Sequence, residues 1–189
     1  MTSGGNVSVT STTGAISDAG ANANENIVGD AVTLTAPTGI NTDLIAAGAV
    51  TADSSGGNGD IDIEGKLGGI ILETANAGTG TVTLDAEVGG ISDNNGDNNV
   101  NVTAGIANLT AAGTINTDVA IGGVAGAVVN ASVQTAAGVP QDGTVILRSA
   151  GDLPVGRIQA VDGTVRLTAG QAITDELAGV NITGGTVSL

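Results

Sequence analysis

The sequence lacks cysteine, histidine, phenylalanine, tryptophan and tyrosine. Without Cys or His there is no thiolate or imidazole metal ligand, no disulfide framework and no Cys/His nucleophile pair. Basic residues are also scarce: four Lys and Arg stand against 19 Asp and Glu, a formal net charge of −15. So few cations cannot neutralise a phosphate backbone, and no aromatic ring is present on which a base could stack. Nucleic acid is therefore excluded as an expected partner.

Long hydrophobic runs are missing as well. The longest weakly apolar run, residues 119–129, has eleven residues and includes three glycines, so it is too short to span a bilayer. The first five residues lack the basic and apolar regions of a secretory signal. We expect no membrane insertion, and the chain is either an internal piece of a longer exported protein or stays inside the cell.

Small aliphatic residues are what the chain does contain. Val, Ile and Leu make up 48 of the 189 residues, about 25%. That share lies above the roughly 20% below which highly charged chains usually stay disordered. Aromatic side chains normally supply much of a globular core, so their absence favours a thin core built from aliphatic side chains.

Short segments that alternate aliphatic and polar residues recur along the chain, and this period of two predicts β-strands. Their first residues lie 25, 29, 21, 18, 45, 20 and 22 positions apart. Counting the 45 as two units gives a mean of 22.5, and we predict the missing unit within Val128–Val133. The predicted segments are Val7–Thr10, Val32–Thr35, Ile61–Glu64, Val82–Asp85, Val100–Thr103, Val145–Arg148, Val165–Thr168 and Val187–Leu189.

A second pattern follows most of these strands: an Ile after a Gly or small residue, then polar residues ending on Asp. Self-similarity at 20 to 25 residues with glycine-rich corners predicts an all-β fold, a β-solenoid of about eight coils of ~22 residues. Each coil should contain three or four short strands, and residues 1–189 should form one domain without obvious caps. A β-sandwich is the remaining alternative. The pattern occurs at Gly14–Asp18, Gly39–Asp43, Gly90–Asp93, Thr114–Asp118 and Ala172–Asp175.

Stacked coils would place equivalent residues in columns. Leu84 and Ile91 are predicted to point inward and Thr83 outward. Asn41 and Asn116 occupy equivalent places in the second pattern, which predicts that they belong to an asparagine ladder.

The phrase aliphatic-Thr-Leu-Thr-Ala-x-x-Gly-Ile-Asn/Ser-Thr-Asp, as in Val32–Asp43 and Val82–Asp93, resembles the repeats of filamentous-haemagglutinin-type adhesins. Those are very long bacterial exoproteins, exported by two-partner secretion or autotransport. The resemblance implies a right-handed parallel β-helix and a location outside the cell, at the bacterial surface. The chain departs from the family in lacking the N-terminal secretion domain and an Arg-Gly-Asp motif, so no host or matrix receptor is specified.

The carboxylates are the first candidates for chemistry. Paired carboxylates can hydrolyse a glycoside, but the nucleophile, base and orienting group of an active site are not assembled by this sequence. Most Asp residues fall at corners, where they make turns. We therefore do not expect an enzyme.

One segment resembles half of a calcium loop. Asp93, Asn95 and Asp97 supply oxygen ligands at positions 1, 3 and 5, but position 6 is Asn98 instead of Gly and position 12 is Ala104 instead of Glu. The alternative is a polar corner loop. Calcium at these three residues is the only cofactor that the sequence suggests.

The predicted function is that of a non-enzymatic structural segment of an extracellular bacterial surface fibre or adhesin. The alternating pattern already runs at Val7 and still runs at Val187, so strand edges are expected at both ends. The predicted partners are copies of the chain stacked head to tail, or adjacent coils of the same long protein. The alternative is a calcium- or glycan-binding solenoid module.

Overall fold

A computed structural model of the chain describes residues 4–18, 25–179 and 181–189. The regular structure in these ranges is β-strand, as expected from many Gly, Thr, Val and Asn residues, which are mediocre helix formers. No helix long and apolar enough to cross a membrane occurs in them. The strands are β1 (Val7–Thr10), β2 (Ile16–Ser17), β3 (Ile27–Gly29), β4 (Val32–Thr35), β5 (Ile40–Ala46), β6 (Ala49–Asp53), β7 (Ile61–Gly65), β8 (Ile70–Asn76), β9 (Thr81–Ala86), β10 (Ile91–Asp93), β11 (Val102–Ala104), β12 (Ile106–Ala111), β13 (Ile115–Ile121), β14 (Val128–Val133), β15 (Thr144–Ser149), β16 (Leu153–Ala169), β17 (Ile173–Asp175) and β18 (Ile182–Ser188).

The strands pair in parallel, each with strands about one coil away, and they form two stacks. Stack I contains β1, β4, β6, β8, β10, β11, β13, β15 and the C-terminal parts of β16 and β18. Stack II contains β2, β3, β5, β7, β9, β12, β14, β17 and the N-terminal parts of β16 and β18. The fold is a β-solenoid of about 8 turns with ~22 residues per turn, which confirms the predicted class.

Several coils, such as β4–β5 and β6–β7, contain two strands, whereas the coils of β1–β3 and β10–β12 contain three. The prediction of three or four strands per coil therefore holds for some coils and not for others. The predicted strands are also divided between the stacks. Those at Val7, Val32 and Val145 belong to stack I, whereas those at Ile61 and Val82 belong to stack II. Both stacks alternate apolar and polar residues in the same way, and a period of two carries no information about which stack a strand joins.

Two predicted strands test the repeat in detail. β14 (Val128–Val133) occupies the position predicted for the missing unit. The strand predicted at Val100 begins instead at Val102, which is fully buried, while Val100 is 37% exposed. The difference arises because residues 94–101 form a loop whose polar contacts include the carbonyl of Val100.

The core is a thin layer of aliphatic side chains between the stacks. Leu84 and Ile91 are fully buried as predicted, and Thr83 points to the outer side with partial exposure. In register, Ile91 lies between Ile70 and Ile115 of the neighbouring coils. Burial of such apolar columns is the main stabilising term. Because each coil contacts only its neighbours, the stability is approximately a sum over adjacent coils.

The predicted asparagine ladder was wrong. Asn41 lies in stack II opposite Asp62, whereas Asn116 lies in stack I opposite Ser92. The two residues share a local sequence but belong to different stacks, so they cannot share a column. A stacked amide pair does occur elsewhere, where Asn130 Nδ2 donates to Asn108 Oδ1 at 2.9 Å.

Candidate functional site

The predicted calcium segment is a loop, residues 94–101, between β10 and β11 of stack I. Asp93 begins it as a turn residue: its Oδ1 accepts the backbone N–H groups of Asn95 at 2.9 Å and Gly96 at 3.1 Å. Gly96 and Asn98 have positive φ angles of 85° and 76°, which Gly and Asn adopt most readily. The sequence therefore builds a tight polar corner here.

Asn95 faces the protein backbone. Its Nδ2 donates to the carbonyl oxygen of Glu73 at 2.8 Å and to that of Val100 at 3.2 Å. Its Oδ1 is buried without a hydrogen-bond partner among the described residues. The amide thus ties the loop to β8 of the preceding coil.

The guanidinium of Arg148 lies among the carboxylates. Its Nη2 is 2.7 Å from Asp118 Oδ2, 3.0 Å from Asp97 Oδ1 and 3.3 Å from Asp93 Oδ2. Its Nε also donates to Asp118, and its Nη1 donates to Asn116 Oδ1 at 2.8 Å. We call Arg148, Asp93, Asp97 and Asp118 the arginine cluster.

Strand register positions the strongest pair of this cluster. Asp118 on β13 lies directly opposite Arg148 on β15. The Asp118 and Asp93 side chains are only 7% and 4% exposed, whereas that of Asp97 is 73% exposed. Hydrogen bonding to Asp118 outweighs burial and raises the pKa of Arg148 above its ordinary value.

Asn101 supports the cluster from inside. It is 1% exposed, and its Nδ2 donates to Asp93 Oδ1 and to the carbonyl oxygen of Leu72. Its Oδ1 accepts the hydroxyl of Thr117 and the backbone N–H of Asp118. A fully bonded amide of this kind makes a buried polar network specific, since each missing partner would be costly.

The structure brings Asp93 and Asp97 together but does not add Asn95 to them. Asp118 joins instead, and the three carboxylates offer oxygens within 4.8 Å of one another. A guanidinium lies between them where a bound cation would have to lie. Calcium binding by Asp93, Asn95 and Asp97 stays a prediction, and it now requires displacement of Arg148.

Sequence reasoning missed Arg148 and Asp118 as members of this cluster. Arg148 is 55 residues from Asp93 and 30 from Asp118. One signal was available in the sequence. The alternation places Asp118, the last residue of the second pattern, and Arg148, the last residue of a predicted strand, on the outer side of their strands, where their side chains can meet.

A second cation lies in stack II. Lys66 Nζ is 2.6 Å from Glu64 Oε1, 3.1 Å from Glu87 Oε1 and 3.9 Å from Asp43 Oδ2. The Lys66 side chain is 10% exposed, whereas Glu64 and Glu87 are 33% and 30% exposed. We call these four residues the lysine cluster.

Carboxylates crowd the lysine cluster because Asp43, Glu64 and Asp85 are in register on three successive strands. Burial raises the pKa of Asp85, and the charge of Glu64 adds to this effect. Burial also raises the pKa of Asp43 although Lys66 opposes it. Hydrogen bonds to Glu87 and Lys66 lower the pKa of Glu64 despite burial.

One of the surface grooves is open. It is lined by glycine, alanine, threonine, serine and isoleucine residues, with Asp152 as the one charged residue among them. No nucleophile and base pair is assembled there. No family model matches the chain, and neither a curated protein nor a solved structure matches it.

Proposed function

We propose that the chain is a non-enzymatic structural segment of an extracellular bacterial surface fibre or adhesin, which continues into further coils or stacks end to end with copies of itself. The observation that carries the proposal is the regular register of stack I over its C-terminal coils. Val145 pairs with Val165, and Val165 pairs with Val187. Because the same backbone geometry repeats at each step, another coil can be added without any change in the one before it.

The exposed edge of β18 supports the proposal. Val187 is 44% exposed although its register partner Val165 is fully buried. Among the described residues, β18 pairs along only one edge. An unpaired strand edge is a template for another strand, and a head-to-tail contact that does not close produces a filament.

The charged clusters support a scaffold role as well, because each of them connects side chains from more than one coil around one cation. The location outside the cell is supported only by the family resemblance of the repeats.

Negative-stain electron microscopy of the purified chain tests end-to-end stacking. We expect concentration-dependent filaments, and we expect Val187→Lys to shorten or abolish them because a charge then lies on the exposed edge. Val139→Lys is the matched control, since Val139 is 55% exposed and lies outside the strands. Monodisperse particles of the unaltered chain at every concentration would overturn stacking between copies.

Thermal melting with calcium and with a chelator separates the scaffold from the calcium-binding alternative. A ligand that binds only the folded state raises its melting temperature. The scaffold proposal expects no shift, because Arg148 already forms ion pairs with Asp93 and Asp97. A rise above roughly 10 °C with calcium would favour the alternative.

A further inference from the structure

Arg157 is an exposed cation in a strongly acidic chain. Of the four basic residues, Lys66 and Arg148 are held by carboxylates in the two clusters. Arg157 makes no ion pair with any described residue, and it lies on the outer side of stack II. Its surroundings are amide and hydroxyl side chains, so the question is what its guanidinium binds.

A β-bulge places Arg157 at this position. Val129 pairs with Val155 and Ala131 pairs with Ile158, so β16 contains one residue more than β14 between these pairs. Bulges redirect side chains and are over-represented next to functional sites. A Cβ atom on Gly156 would collide with Asn130 Oδ1, and it would lie 2.7 Å from Val128 Cγ2. Glycine at this position therefore leaves room for the Asn130 amide.

The hydrogen bonds determine how the neighbouring amides are oriented. The backbone N–H of Arg157 donates to Asn130 at 2.8 Å, so the oxygen of that amide must face it. Asn130 Nδ2 then donates to Asn108 Oδ1 at 2.9 Å. As a result, the Nδ2 group of Asn108 is left as a donor with no partner among the described residues.

The groups that remain available are nearly all donors. They are the guanidinium of Arg157, the amide nitrogen of Asn108 and the hydroxyl of Thr110, and they line one open groove together with Asn130 and Ser132. The oxygens of both amides are already bonded. The hydroxyl of Ser132 already donates to Gln134 Oε1, so we call Arg157, Asn108 and Thr110 the donor patch. A surface of this kind is complementary to a ligand rich in acceptors and negatively charged, because charge-assisted hydrogen bonds to Arg are the strong ones.

We propose that the donor patch binds an acidic saccharide chain, with a carboxylate of the sugar on Arg157. The groove is open and not enclosed, which suits an extended ligand. Outward polar side chains repeat along stack II at the strand spacing of about 4.8 Å, so successive hydroxyls of a saccharide can meet Thr110 and Ser132. The inference goes beyond the scaffold role and does not depend on it.

The test is binding of trigalacturonic acid, followed by NMR of the side-chain amides and arginine Nε groups. The chain has three arginines, so the Arg157 signal is readily assigned by substitution. We expect selective shifts at Arg157 and Asn108, and an affinity at least about tenfold lower for Arg157→Gln. Arg166→Gln is the matched control, because Arg166 is also exposed but lies in the stack I part of β16, and it should change affinity less than about twofold.

Four outcomes would overturn the proposal. Equal losses for Arg157→Gln and Arg166→Gln would show only general attraction of anions. Equal affinity for neutral galactotriose would remove the carboxylate from the argument, and equal affinity for triglutamate would remove the saccharide. The absence of binding to the unaltered chain, with its β-rich circular dichroism retained, overturns it directly. Filament formation is measured separately, so failure here leaves the scaffold proposal standing.

Discussion

The tetrapeptide Ile-Asn-Thr-Asp occurs twice, at 40–43 in stack II and at 115–118 in stack I. In both copies the Ile and Thr side chains are buried and the final Asp contacts a cation of the next coil along the chain. The partner differs. Asp118 lies directly opposite Arg148, whereas Asp43 lies opposite Glu64 and Lys66 reaches it from two positions further along.

The comparison shows that strand register, and not the local sequence, decides what a repeated motif does. In stack I the register sets a carboxylate opposite a guanidinium, whose planar fork can bond several acceptors at once. In stack II it sets a carboxylate opposite another carboxylate, and one ammonium compensates three acids. Each cluster has one cation for three acids, but in stack II Asp85 adds a further carboxylate in register with Glu64. Burial raises the pKa values of Asp43 and Asp85, and the charge of Glu64 adds to this effect.

The largest loss of stability should come from a buried charge that has no counter-ion. This loss is the reference with which substitutions in the two clusters are compared. Leu84→Asp places a carboxylate in a fully buried position, and we expect a loss of about 4 kcal/mol or more, enough to unfold neighbouring coils. Thr83→Asp, on the outer side of the same strand, should be mild. Far-UV circular dichroism during thermal melting measures both, and similar losses would contradict the inward and outward assignment.

Arg148→Met should have the next largest effect. It leaves Asp93 and Asp118 buried without their cation, and breaking a buried pair in this way costs about 3–5 kcal/mol. Urea unfolding followed by circular dichroism gives the free energy. Arg166→Met is the control, and as an exposed change it should stay within about 0.5 kcal/mol. If the two variants unfold alike, the arginine cluster does not stabilise the coils.

Lys66→Met should cost less, about 1–2 kcal/mol, because Glu64 and Glu87 are one-third exposed and water can solvate them. The same urea measurement applies. A loss larger than that of Arg148→Met would reverse the order that the two registers predict.

The smallest effect is a pH dependence at Asp85, which lies in register with Glu64 of the lysine cluster. The pKa of Asp85 is raised in the folded state, so folded protein binds this proton first, and the stability from it is lost as pH rises through the raised pKa. Asp85→Asn should therefore be more stable than the unaltered chain at pH 7, by less than about 1 kcal/mol, and the difference should vanish toward pH 4. Asp142→Asn, at an exposed position, should show no such trend. A gap that widens as pH falls would contradict the assignment.

Part of the site could be anticipated and part could not. The tight corner at Asp93 follows from Asn, Asp and Gly residues that favour turns, and the structure contains it. The pairing of Asp93 with Arg148 could not be anticipated, because it spans 55 residues and depends on how a loop folds back over stack I. The β-bulge that exposes Arg157 likewise leaves no periodic signal beyond a glycine in a strand.

By itself, the sequence determined the β-solenoid, its ~22-residue period and the inward side chains of segments such as Val82–Asp85. These are properties of local alternation and repeat length, which any stacked arrangement must obey. Tertiary structure alone decided which stack each strand joined, and hence that Asp118 meets Arg148 while Asp43 meets Glu64. Register is a relation between residues 20 to 30 positions apart, and two stacks with the same apolar alternation satisfy the local pattern equally well until the coils pack.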